Sequence, residues 1–102
     1  MTSWLLVLGQ TLLGVLTVTS VNQPFFLCSF QPTDEFDQYR LLFEERLRLA
    51  ESVDPDNEDW SAVEVIHEQI QGLGLSLKRM NDGAEIKEFL LHVRGDEAWF
   101  RY

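Results

Sequence analysis

Four carboxylates crowd one short stretch, Asp54, Asp56, Glu58 and Asp59, within Ser52–Asp59. Hard cations such as Ca²⁺ favour oxygens of this kind. An EF-hand loop counted from Asp54, however, places Asp59 where the turn needs glycine and Val65 where a bidentate glutamate is needed. The stretch therefore reads as a solvated acidic loop. Glu64 and His67 form one Glu-x-x-His pair, but di-iron bundles require two such pairs and further glutamates from other helices. Two histidines and one cysteine in the whole chain are too few for a structural zinc site. His92 lies close in sequence to Asp96 and Glu97, yet no nucleophile elbow accompanies it. Gly72-Leu73-Gly74 follows a predicted helix, whereas phosphate-binding glycines precede one. Arg94-Gly95-Asp96 has the composition of a hairpin turn. The residues thus point to no catalytic centre, no metal and no cofactor. An enzyme using His92 or the acidic loop is kept as an alternative.

What stands out instead is charge. The 102 residues carry 17 Asp and Glu against 8 Lys and Arg, a net −9, with 45% hydrophobic and 12% aromatic residues. That apolar content excludes intrinsic disorder, and the length suits one domain spanning residues 1–102. A strongly negative chain repels a phosphate backbone and an anionic membrane surface, so neither nucleic acid nor membrane is expected as a partner. The charge is concentrated. Residues 1–33 hold no ionisable side chain except Cys28, residues 34–68 hold 12 acids against 3 bases, and residues 69–102 hold five of each. Such a concentrated field would attract a basic protein at a high rate. Asp37, Glu44, Glu51, Asp54, Asp56, Glu58, Asp59, Glu64 and Glu68 are the expected contacts, with Tyr39, Trp60 and Trp99 as candidate aromatic anchors.

The elements that must present these residues follow from periodicity. Residues 4–8, 11–20 and 25–30 read as strands, separated by Gly9-Gln10 and by Asn22-Gln23-Pro24. Asp34 is placed to cap a helix over about 35–51, in which Phe36, Tyr39, Phe43, Leu47 and Ala50 share a face. Leu41, Leu42 and Leu49 are expected to widen that stripe. Arg40 with Glu44, and Glu44 with Arg48, are i,i+4 pairs on its outer side. A second helix over about 60–72 aligns Trp60, Val63, His67, Ile70 and Leu73, with Glu64, Glu68 and Gln71 outward. Three strands follow within 75–102, at Leu75–Leu77, Ile86–Val93 and Ala98–Tyr102. The expected class is α+β, in the order β-β-β-α-α-β-β-β, with an antiparallel sheet or sheets packed against two helices.

Trp4–Val21 is apolar enough to be weighed as a signal peptide or anchor. It has no basic residue before it, and Gly9-Gln10 and Gly14 interrupt it well short of a membrane span. Its valines and threonines favour strands. The expected location is cytoplasmic, and secretion follows only if residues 1–20 act as a signal. Cys28, inside Phe25-Phe26-Leu27-Cys28, reads as a small buried hydrophobe, consistent with a reducing compartment.

The ending Glu88-Phe89-Leu90-Leu91-His92, followed by Gly95-Asp96-Glu97-Ala98-Trp99-Phe100-Arg101, resembles a family of small acidic, uncharacterised bacterial proteins. Gly14-Val15-Leu16-Thr17-Val18, Pro24-Phe25 and the helix containing Phe36 and Leu42-Phe43 resemble it too. Proline in that pattern stands where this chain has Leu42, and an acidic residue stands where it has Gln23. The resemblance runs almost end to end, implies that residues 4–21 belong to the fold, and carries no catalytic residue. By analogy of class, such proteins are often immunity proteins that neutralise a basic toxin. The sequence-based expectation is therefore a non-enzymatic binding module for a basic protein. A structural homodimer, joined through a strand edge or an apolar patch, is the first alternative.

Overall fold

The computed structural model describes residues 2–102. The first three strands, β1 (Ser3–Leu8), β2 (Thr11–Asn22) and β3 (Phe25–Pro32), form a continuous antiparallel meander. A 3-10 turn at Asp34–Phe36 leads into α1 (Asp37–Glu51), and α2 (Ser61–Gln71) follows the acidic loop. The chain then adds β4 (Leu75–Arg79), β5 (Glu85–Ile86), β6 (Leu90–Arg94) and β7 (Glu97–Arg101). All seven strands join one antiparallel sheet in the order β5-β4-β1-β2-β3-β7-β6. The α+β class and the expected order of strands and helices are those of the molecule.

One expected strand is absent as such. The run Ile86–Val93 is split, with β5 pairing to β4 at one edge of the sheet and β6 pairing to β7 at the other. The reason lies in spacing. Ile86 packs against the core and faces Leu77, while Leu91 and Val93 are buried beside Phe100 and Ala98. Ile86 and Leu91 are five positions apart, and an odd interval puts two side chains on opposite faces of a regular strand. The chain therefore breaks at 87–89 and swaps edges. Four residue steps from Ile86 to Leu90 span at most about 14 Å, so the sheet has to curl until its two edges nearly meet. Register shifts at Leu6/Val7 and at Val18/Ser20 mark the irregularities that allow such bending.

The concave face of this sheet holds Trp4, Leu6, Leu16, Phe30, Leu77 and Phe100, all 3% exposed or less. Phe36 and Phe43 enter it from the helical layer. Phe30 meets Phe36 edge-on at 5.0 Å, and Phe36 lies 5.6 Å from Phe43. Gly14, opposite Pro32 in the pairing of β2 with β3, sits under the Phe30 ring, and a Cβ there would come within 2.3 Å of Phe30 Cε1. The glycine that interrupts the apolar N-terminal run is thus required by core packing. Residues 4–21 supply most of β1 and of β2, the latter being the central strand of the seven. Among the described residues, no helix is long and apolar enough to cross a membrane.

Several local expectations are corrected. Asp34 opens the 3-10 turn instead of capping α1, and neither helical start has a side-chain cap. Leu41 does not join the buried stripe. It lies two residues, about 200° of helical rotation, from Phe43 and is 75% exposed. Trp60 precedes the first turn of α2 and is 43% exposed, so it takes no part in the core face expected for it.

Candidate functional site

All nine candidate carboxylates are solvent-exposed. Asp37, Glu44 and Glu51 recur every seven residues on α1, two near-whole turns apart, and so form one stripe. Glu64 and Glu68 form a second stripe on α2, and Asp54, Asp56, Glu58 and Asp59 lie in the loop between the helices. Two of the nine have cationic partners. Asp37 lies 3.7 Å from Arg40, and Glu51 accepts a hydrogen bond from Arg94 at the β6–β7 turn. The expected i,i+4 pairs through Glu44 do not form. Arg40 reaches back to Asp37 and lies over the Phe36 ring, and Arg48 makes a two-point contact with Glu45 one turn before it. Glu44 is left without a cation among the described residues.

Two of the four loop carboxylates are held by backbone donors. Asp54 accepts from the Asp56 amide at 2.9 Å, and Asp59 accepts from the Ser61 amide at 3.0 Å and from its hydroxyl. These Ser61 bonds lower the Asp59 pKa below its ordinary value. The carboxylates do not converge. Among the described residues, no group of three or more His, Cys, Asp or Glu is arranged to hold a metal ion.

An apolar groove of about 430 Å³ runs beside the α1 stripe, floored by Leu41, Leu42 and Ile66 and walled by Glu44, Glu45 and Arg48. Glu44 also borders a second shallow groove with Glu51, Arg94 and Gly95. Val65 is 55% exposed on α2, and Trp60 stands at its start. Of the three candidate aromatic anchors, Trp60 is the exposed one. Tyr39 and Trp99 are half-buried, and Trp99 lies 5.4 Å from the His92 ring and beneath Arg94.

His92 meets neither Asp96 nor Glu97. Its ring lies between Phe25, at 6.1 Å, and Trp99, and its buried Nδ1 has no hydrogen-bond partner among the described residues. Burial, with the positive charges of Arg46 and Arg101 and the nearby ionisable ring of His67, pushes its pKa down to about 4. No carboxylate orients it. Cys28 is buried, as expected, and burial raises its thiol to about 11, away from thiolate reactivity.

Sequence reasoning missed a further charged side chain. Arg46 is 3% exposed on the inner face of α1. Its Nη1 donates to His67 Nδ1 at 3.0 Å, its Nη2 donates to the Leu91 carbonyl, and its Cζ lies 5.5 Å from the Phe43 ring centroid. Arginine can only donate, so His67 Nδ1 accepts and its ring proton resides on Nε2. Burial and the adjacent guanidinium both lower the His67 pKa. Burial likewise brings Arg46 down to about 10. The signal was present in the spacing, because Arg46 stands three residues after Phe43 and seven after Tyr39, on the buried stripe.

The architecture is that of a small α+β protein whose curled sheet wraps around helix-borne aromatics, with an acidic helical layer outside. Comparison with family models, with curated proteins and with solved structures finds no match to the chain.

Proposed function

We propose that the protein is a non-enzymatic binding module whose acidic helical layer captures a basic protein, in the manner of an immunity protein that blocks a cationic toxin. One observation carries this reading. Seven of the nine carboxylates on α1, the loop and α2 have no cationic partner among the described residues, and the α1 stripe borders an exposed apolar groove. Plain solubility needs charge, but it does not need an apolar strip of Leu41, Leu42 and Ile66 beside it. An apolar centre with a charged rim is the anatomy of a protein interface. The carboxylates would speed encounter and select a basic surface, and the groove would retain it.

The test uses two variants chosen to leave the core intact. One replaces Glu44, Glu64 and Glu68 together by glutamine, and the other is Leu41→Ser. Partner captured from cells that make the protein should associate about tenfold more slowly with the glutamine variant. Binding should also weaken as salt rises from about 0.05 M to about 0.5 M. Leu41→Ser should hasten dissociation. A partner indifferent to salt and to both variants would show that this layer is not the binding surface.

A further inference from the structure

We propose that the cavity where the two edges of the curled sheet approach one another is a binding site for a small carboxylate with a compact apolar body. The cavity, about 220 Å³, lies between β4, the crossing 87–89, β6 and the end of α2. Its volume equals that of about seven waters and is below the range of drug-sized ligand pockets, so it suits a fragment-sized molecule. Phe43, Ile70, Leu75, Phe89 and Leu91 make its apolar walls. Its polar lining is Arg46, Gln71, Ser76 and Lys87, with no carboxylate. Exposed Lys87, Gln71 and Gly74 mark the mouth, and Gln71 reaches the Phe89 carbonyl at 3.4 Å across the crossing.

Arg46 is the reason to assign an anion. The residue is more than nine-tenths buried, its three hydrogen-bonding nitrogens meet only a neutral imidazole and a carbonyl, and the buried Nε has no acceptor at all among the described residues. No carboxylate among them lies within ion-pair distance of it. A buried charge held only by neutral acceptors is poorly compensated, and a guanidinium is matched best by a carboxylate. Lys87 at the rim lies 3.5 Å from Glu85 but shares that carboxylate with Lys78 at 3.7 Å, so Lys87 is partly compensated and Arg46 is the one cation of the site with no carboxylate at all among the described residues. That favours a monoanion over a phosphate dianion. The five apolar walls favour a ligand whose remaining surface is hydrocarbon. The site lies at the seam of the sheet against the inner faces of α1 and α2, and it shares no residue with the acidic outer face or its groove.

The test is a titration of ¹⁵N-labelled protein with benzoate, with benzyl alcohol as the neutral isostere and inorganic phosphate as the anion without an apolar body. Benzoate, at up to about 10 mM, should shift the amide signals of Ser76, Lys87 and Leu91. It should bind at least about tenfold more tightly than either control, as a charge-assisted contact requires. Lys87→Gln, at an exposed position, should weaken benzoate several-fold. Arg46→Met should abolish its preference over benzyl alcohol. The proposal is overturned if benzoate leaves those amides unmoved, if either control binds as well, or if Lys87→Gln binds benzoate like the wild type.

Discussion

Between about pH 6.5 and pH 4 the protein should lose stability through His92, and replacing that one side chain should remove the loss. In the unfolded chain the imidazole titrates near its ordinary 6.5, whereas in the folded protein it titrates near 4. A depressed folded value means that the fold favours the neutral ring. Its contribution is therefore complete above 6.5 and declines as the unfolded state takes up a proton that the folded state refuses. The decline ends near pH 4, once both states are protonated. The gap corresponds to about 3 kcal/mol at most. The ring is only partly buried, and solvent screening reduces the expected effect to about 1–2 kcal/mol. Three positive or ionisable neighbours face it, Arg46 from α1, His67 from α2 and Arg101 from β7, and each opposes its protonation. Urea unfolding followed by tryptophan fluorescence, at several pH values across this range, gives the slope for the wild type and for His92→Gln. Carboxylates and His67 are common to both proteins, so the difference between slopes isolates His92. Equal slopes would show that His92 contributes no pH-dependent stability, whatever the variant's stability at neutral pH.

Gly14→Ala forces a methyl group to within 2.3 Å of Phe30 Cε1 and 2.7 Å of Cζ, in a core where Phe30 is 1% exposed. Overpacking of this kind should cost about 1–3 kcal/mol, or at least about 4 °C in Tm by circular dichroism, and an unchanged Tm would show that Phe30 yields freely. Glu51→Gln breaks the contact with Arg94, but both side chains are more than half exposed. Its unfolding free energy should fall by less than about 1 kcal/mol, and a larger loss would mark the pair as a structural clamp between α1 and the β6–β7 turn.

Much of this architecture was legible residue by residue. Alternation and β-branching located β1 to β3, and the spacing of Phe36, Tyr39 and Phe43 located α1. The Gly9-Gln10 and Arg94-Gly95-Asp96 turns were correctly placed, because turn chemistry is local. What failed had a non-local cause. Periodicity places Trp60 on the core face, but the helical pattern does not say where the first turn begins. Ile86–Val93 looked like one strand because each half is strand-like, and only the competition between two sheet edges separates them. Spacing alone offers Glu44 two i,i+4 pairs. Arg40 and Arg48 each found an acid one turn earlier, and Arg40 also stacks on Phe36.

The class of the protein, the order of its elements and the segment that carries its negative charge are all readable along the chain. These depend on composition and on periods of two and 3.6 residues, which a single chain displays without reference to its neighbours. Which charges remain unpartnered depends on the tertiary structure, since an acid becomes free or neutralised according to which cation the fold brings near. It alone buried Arg46 behind Phe43 and placed the cavity beside it. That cavity exists because the chain must cross from one edge of the sheet to the other in a few residues, curling the sheet almost to closure and leaving a seam.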